Sequence, residues 1–225
     1  VSGHPGRTRR LLTAEHLAFM RDVDMPSALG SLWRREVQLT VFCNRSPDHL
    51  RMGQEALFSF QNSRKARTGV YAAMLDPVLM QKRQAADAKL REARELQAGS
   101  AGDPWERIAA AREAYRAYYP RHILLSEGRG FSSVLFDMAR TIVRLAEELP
   151  KPSAERLREY RDSELDSVYL QLYSPAPIHE PLEIDAVASM LSFLAERFGA
   201  DDPAARAALD GLAPGRRAEH LVRGC

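Results

Sequence analysis

At four points along the chain, a short side chain with a free oxygen stands directly before a proline that is followed by helix-forming residues. The four sites are Ser46-Pro47, Asp76-Pro77, Asp103-Pro104 and Asp202-Pro203. Such an oxygen can accept a hydrogen bond from a free N–H group of a first helical turn, and proline is tolerated there because its missing N–H is not needed. Each site therefore predicts the start of a helix.

The segments after the second and third sites have helical composition. Residues from Asp76 to about Ala98 are rich in strong helix formers and alternate in charge, which predicts a long, partly exposed helix. After a Gly-Ser-Ala-Gly break at 99–102, a second helix should run from Pro104 and end at Pro120, because an internal proline removes a helical hydrogen bond. The simplest arrangement is an antiparallel arm over residues 76–120.

Two later segments carry apolar residues at spacings of three and four, the pattern of a helix that buries one face. The first stripe is Leu135, Met138, Ile142, Leu145 and Leu149, and the second is Val187, Met190, Leu191, Leu194 and Phe198. There is no internal repeat and no alternating run that indicates a sheet, although residues 1–12 could include a short edge strand. The sequence predicts an all-α, irregular multi-helix domain over residues 13–225, preceded by a lead-in segment, 1–12.

Composition and charge exclude several classes of protein. The chain is 45% hydrophobic and 28% charged, which is typical of a folded globular domain. Its longest uncharged apolar runs fall far short of the ~20 residues that a helix needs to cross a bilayer, so we expect no membrane partner. The 32 basic and 30 acidic side chains are mixed along the chain, and without a broad cationic field we expect no nucleic-acid partner.

No group of residues in the sequence forms a self-contained active site. The six histidines are scattered without metal-ligand spacing, and the glycines match no phosphate-binding or dinucleotide-binding motif, so we expect no metal and no cofactor. Ser132 and Ser133 lack the flanking glycines of a nucleophile elbow, and we interpret Ser132 as the cap of a helix that begins near Val134. Cys43 and Cys225 are expected to be free thiols. The chain has no predicted catalytic residue.

Several short motifs, in their order and spacing, resemble one family. They are Gly3-His4-Pro5-Gly6-Arg7-Thr8; Asn62-Ser63-Arg64-Lys65-Ala66 followed by Gly69 and Leu75-Asp76-Pro77; Leu135-Phe136 with Ala139-Arg140-Thr141-Ile142-Val143-Arg144 and Lys151-Pro152; and the proline-rich loop into Leu182-Glu183. Together they resemble the bacterial serine dipeptidyl aminopeptidases, family forty-six of the serine peptidases, which includes dipeptidyl-peptidases seven and eleven. His4 departs from the family pattern, which usually has asparagine at that position.

The resemblance implies a helical cap domain inserted between segments of a chymotrypsin-like double β-barrel that carries a Ser/His/Asp triad. Residues 1–12 would then lead in from the barrel, with the triad histidine and aspartate before Val1 and the serine after Cys225. This chain alone would therefore be inactive. The family releases dipeptides from peptides and is placed in the periplasm or outside the cell. The expected partners are a peptide with a free N-terminus and the β-barrel domains of the same protein, and a homodimer is left open.

The resemblance also implies one substrate-binding residue, Asn62. An asparagine on the helical domain of the family helps to bind the substrate's α-amino group, and Asn62 stands at the matching position. Its amide oxygen is a neutral acceptor for an ammonium group, whereas the residue taken alone would be a polar side chain on an exposed helix face. Arg64 and Lys65 could set the local charge or could simply be solvated. A freestanding helical module that binds another protein is the alternative function.

Overall fold

The computed structural model describes residues 12–95, 103–129 and 133–224. Its α-helices are α1 (Ala14–Phe19), α2 (Met25–Cys43), α3 (Pro47–Leu75), α4 (Pro77–Glu95), α5 (Pro104–Arg121), α6 (Val134–Glu148), α7 (Asp162–Leu172), α8 (Glu180–Phe198), α9 (Pro203–Leu209) and α10 (Pro214–Arg223). The described residues contain no strand, and the prediction of an all-α fold is confirmed.

Two sequence predictions fall largely outside the residues that the structure describes. The lead-in segment, for which the sequence leaves an edge strand open, falls almost entirely in residues 1–11, and the predicted break falls at 99–102. The boundary between the lead-in segment and the domain over 13–225 therefore stays a prediction. The antiparallel arm over 76–120 also stays a prediction, with one ion pair across its break, between Arg91 and Asp103 at 2.7 Å.

The four predicted helix starts are confirmed. The proline of each pair is the first residue of its helix, at α3, α4, α5 and α9. Asp76 Oδ1 accepts the Val78 N–H at 2.8 Å, Asp103 Oδ1 accepts the Trp105 N–H at 2.8 Å, and Asp202 Oδ1 accepts the Ala204 N–H at 2.9 Å. Each carboxylate satisfies an N–H group that has no partner within its own helix.

The predicted end of a helix at Pro120 is wrong. Helix α5 contains Pro120, ends at Arg121 and continues into a π-helical turn over His122–Ser126. A proline ring lacks an N–H group and crowds the carbonyl group one turn earlier, but neither effect ends the helix here. Packing holds the segment helical, because Tyr119 is buried edge-on against Phe19 and its hydroxyl donates a 2.7 Å hydrogen bond to Asp24.

The chain divides into two compact units, and the first comprises residues 1–37 and 56–127. A buried cluster among its described residues is rich in methionine: Leu17, Met20, Met25, Met74 and Met80. Helix α1 contacts both α4 and α5, and the Asp87 carboxylate of α4 accepts the N–H of Ala14, the first residue of α1, at 2.6 Å. The beginning of α2 and most of α3 belong to this unit.

The second unit comprises residues 38–55 and 128–225. Helices α8 and α10 share a buried cluster of Val187, Leu191, Ala218 and Val222. The apolar stripe predicted on α8 is buried apart from the partly exposed Phe198, so that prediction is confirmed. The stripe predicted on α6 is buried at Leu145 but 55% exposed at Ile142.

The cap of α6 also differs from the sequence interpretation. Ser133, and not Ser132, is the N-cap, and its hydroxyl accepts the Phe136 N–H at 3.1 Å. The interpretation of Ser132 as the cap is therefore wrong by one residue. Ser133 directly precedes the first helical residue, Val134, and its hydroxyl also donates a hydrogen bond to a buried carboxylate of α8, Glu183.

Candidate functional site

Asn62 lies on the outward face of α3. The neighbouring positions Phe60 and Arg64 both face α2: the Arg35 guanidinium lies 5.6 Å from the centroid of the Phe60 ring, and Arg64 contacts Glu36. A position two residues away is rotated by about 200° around a helix of 3.6 residues per turn. Asn62 therefore projects away from α2, and its side chain is exposed.

The surface around Asn62 is exposed to solvent on both sides along the helix. Phe58, one turn earlier, is 66% exposed, and Lys65 and Ala66, one turn later, are exposed as well. Beyond them lies Gly69, where a Cβ atom would meet nothing within 4 Å. The Asn62 amide therefore lies on a solvent-exposed stretch of α3, between Phe58 on one side and Lys65 and Ala66 on the other.

The opposite face of α3 carries a charged and aromatic cluster. Arg64 Nε donates to Glu36 Oε2 at 2.5 Å and its Nη2 donates to Glu36 Oε1 at 3.2 Å, which is the two-point contact that a guanidinium makes best. The same guanidinium lies 5.2 Å from the centroid of the Trp33 ring. The side chains of Arg64 and Glu36 are only 29% and 12% exposed, so the pair is partly shielded from water.

This contact shifts the ionisation of both partners. The hydrogen bond from Arg64 lowers the pKa of the Glu36 carboxyl, against an opposing effect of desolvation, and Lys65 adds to the lowering by its charge. The hydrogen bond to Glu36 raises the pKa of Arg64. The charge of Arg64 is therefore engaged with Glu36 and not with the surface that carries Asn62.

One serine and one histidine of the second unit are in hydrogen-bonding contact. Ser46 Oγ lies 2.7 Å from His49 Nδ1 and also accepts the His49 backbone N–H at 3.3 Å. The His49 ring packs edge-on against Phe42, with centroids 4.8 Å apart. A hydroxyl that accepts a backbone N–H in front of a first helical turn is a helix cap, and the contact is explained as the start of α3.

The described part of the chain contains few other groups that could bind a ligand or take part in catalysis. Within it, no three side chains of His, Cys, Asp or Glu come together as metal ligands. The second unit holds a cavity of about 370 Å³ whose lining is apolar except for Arg217: Leu135, Phe136, Ala139, Val187, Met190, Leu191, Leu194, Ala208, Leu221 and Val222. None of these lining residues is a nucleophile. No described helix combines the length and the apolar character required to cross a membrane.

A comparison with known protein families identifies the family of this chain. A family model, Peptidase S46, matches residues 1–225, the full sequence. The chain belongs to the peptidase S46 family. The resemblance read from the sequence motifs is thereby confirmed at the level of the family, and membership ties this all-α chain to a serine peptidase. A comparison with curated proteins found no match.

The sequence motifs single out Asn62, Arg64 and Lys65 but miss Glu36 and Trp33. Trp33 and Glu36 are three residues apart in a helical segment, which places both on one face of α2. This spacing was the sequence signal that could have pointed to them. That spacing could not reveal their partner, because Arg64 is 28 residues away from Glu36 along the chain. Only the pairing of α2 with α3 brings the three side chains together.

Proposed function

We propose that this chain is the substrate-gating helical domain of a serine exopeptidase that releases dipeptides from the free N-terminus of peptides. In this proposal the Ser/His/Asp triad lies on parts of the protein outside this chain, and Asn62 binds the substrate's α-amino group. The observation that carries the proposal is the position of Asn62 on the open face of α3, in a chain whose whole length matches a serine peptidase family.

Asn62 suits this role for chemical reasons. An enzyme that always cleaves after the second residue of a peptide must hold the terminal ammonium group at a constant distance from the bond that it cleaves. An amide oxygen accepts a directional hydrogen bond from an ammonium group, and such a charge-assisted bond contributes about 1.5–3 kcal/mol. A 29-residue helix is a rigid support for that acceptor.

The gating role follows from the same requirement. A helical domain that covers a catalytic cleft admits a free chain end but excludes a chain that must pass through the cleft. A blocked N-terminus lacks the charge that Asn62 would recognise and adds bulk beside it. A carboxylate from the barrel domains would supply the charge that the neutral amide does not.

The proposal is tested in the full-length peptidase with the Asn62→Ala variant. Loss of one charge-assisted hydrogen bond should lower kcat/KM for a free-amine dipeptidyl substrate by about 10-fold to 100-fold. Asn62→Asp keeps an acceptor oxygen and should retain most of the activity. Ser59→Ala, on the exposed side of α3 one turn earlier, is the matched control. An unchanged kcat/KM for Asn62→Ala would remove Asn62 from the site.

The location of the triad is tested with the chain by itself. Added to the same dipeptidyl substrate, it should give no hydrolysis above the buffer rate. Hydrolysis that follows normal saturation kinetics would refute a triad outside this chain. Cell fractionation tests the proposed periplasmic or secreted location of the full-length protein, and its mass in solution shows whether it is a homodimer.

One observation favours the second candidate function, a freestanding helical module that binds another protein. Helix α7 and its end expose large apolar side chains, with Leu170 76% and Tyr173 81% exposed. Exposed groups of this kind often mark a contact surface. The coding sequence on both sides of this chain separates the two candidates, because the peptidase requires β-rich segments on each side and a glycine-flanked serine downstream.

A further inference from the structure

Arg64 links the middle of α3 to α2. All of residues 62–70 are exposed except Arg64, which is partly buried against Glu36 and Trp33. The contact with Glu36 is made at two points, and the guanidinium also lies over the Trp33 ring. A planar guanidinium held at two points and on one face has little freedom to rotate. The contact therefore restrains this part of α3 against rotation about the helix axis and against sliding along it.

We infer that Arg64, through its contacts with Glu36 and Trp33, is the positioning residue for Asn62. This inference rests on the proposed function of Asn62. Arg64 lies on the other side of the helix from Asn62 and is engaged with α2, so it acts through the orientation of the helix and does not touch the substrate.

The effect of a small rotation is large at this site. Rotating a helix by about 10° moves an atom about 5 Å from its axis by about 1 Å. A displacement of that size in a substrate-positioning group can cost about 100-fold in rate. Loosening Arg64 should therefore weaken recognition of the ammonium group while the rest of the substrate is still bound.

The experiment compares two substrates of the full-length peptidase that differ only in the terminal amine, which is replaced by hydrogen in the second. The ratio of their kcat/KM values measures recognition of the amine. Arg64→Leu should lower this ratio about 5-fold to 20-fold, mainly through KM for the free-amine substrate. Arg64→Lys, which keeps the charge but not the two-point contact, should lie between the wild type and Arg64→Leu.

Arg67→Leu is the matched control. Arg67 is exposed on the same helix, one turn from Arg64, and the substitution removes the same charge. The ratio of the two kcat/KM values for Arg67→Leu should equal that of the wild type. This result would show that loss of a nearby positive charge does not explain the lower ratio of Arg64→Leu. Glu36→Gln removes the partner instead of Arg64, and it provides the same test if Arg64→Leu fails to fold.

A double variant decides whether Arg64 works through Asn62. Asn62→Ala with Arg64→Leu should have the same ratio as Asn62→Ala alone, because a lost acceptor cannot be mispositioned further. The inference is overturned if the two effects multiply, or if Arg64→Leu and Glu36→Gln lower kcat/KM for both substrates equally. If Asn62→Ala alone leaves the ratio unchanged, the proposed function itself fails. A ratio that falls for Asn62→Ala but not for the Arg64 variants overturns the positioning role alone.

Discussion

The buried carboxylate of Glu183 on α8 accepts a 2.6 Å hydrogen bond from the hydroxyl of Ser133, the N-cap of α6. It also accepts the backbone N–H groups of Leu135 at 2.9 Å and Val134 at 3.2 Å. The first N–H groups of a helix have no partner within the helix, and a negative charge beside them is favourable. One side chain of α8 therefore both caps α6 and attaches it to the second unit.

We predict that Glu183→Ala lowers the free energy of unfolding by about 2–3 kcal/mol, because it leaves one buried and two partly buried donors without this acceptor. Glu183→Gln keeps one acceptor oxygen and should cost less. Urea denaturation followed by circular dichroism measures both. Glu180→Ala, on the same helix, removes only an exposed ion pair with Arg223 and should change the free energy much less. An equal loss for Glu180→Ala and Glu183→Ala would contradict this account of the cap.

Two glycines of α3 should respond oppositely to substitution by alanine. At Gly53 a new Cβ atom would lie 2.8 Å from Cys43 Sγ and 3.1 Å from the Phe42 ring, whereas at Gly69 it would meet nothing within 4 Å. Overpacking should lower the free energy of unfolding of Gly53→Ala by about 1–3 kcal/mol. Gly69→Ala should raise it by about 0.5–1 kcal/mol, because alanine favours the helix and restricts the unfolded chain.

Thermal or urea unfolding of the two glycine variants checks this contrast. Replacing Cys43 with alanine in the Gly53→Ala background should recover part of the lost stability, since it removes the sulfur atom that the new methyl group meets. Stabilisation by both glycine substitutions would show that α2 and α3 are not packed as described near Gly53.

Stability in acid should report the contact between Glu36 and Arg64. The hydrogen bond from Arg64 lowers the pKa of Glu36 from its ordinary value of 4.5. A carboxyl group with a lower pKa in the folded state stabilises the fold above its unfolded pKa, and this contribution is lost as the pH falls through the folded value. The difference in free energy of unfolding between the wild type and Glu36→Gln should therefore be largest near neutral pH and shrink below 4.5. A difference that stays constant down to about pH 2 would contradict this ion pair.

Local features of the fold were predictable from the sequence, and features that depend on packing were not. The starts of α3, α4, α5 and α9 follow from a side-chain oxygen and a proline within a few residues of each other. The same local logic fails at Pro120, because the packing of Tyr119 on Phe19 and its hydrogen bond to Asp24 keep the segment helical. It also fails at Ile142, which has the spacing of a core residue but remains 55% exposed.

The sequence by itself determined the all-α class, the helix starts and the motifs that mark membership of the peptidase S46 family, because each depends on residues close together in the chain or on their order. Only the tertiary structure decided that Asn62 projects from the open face of α3 while Arg64, two residues later, faces Glu36 and Trp33. That outcome depends on how α2 and α3 pair across 28 residues of chain, and periodicity within one helix carries no information about its partner.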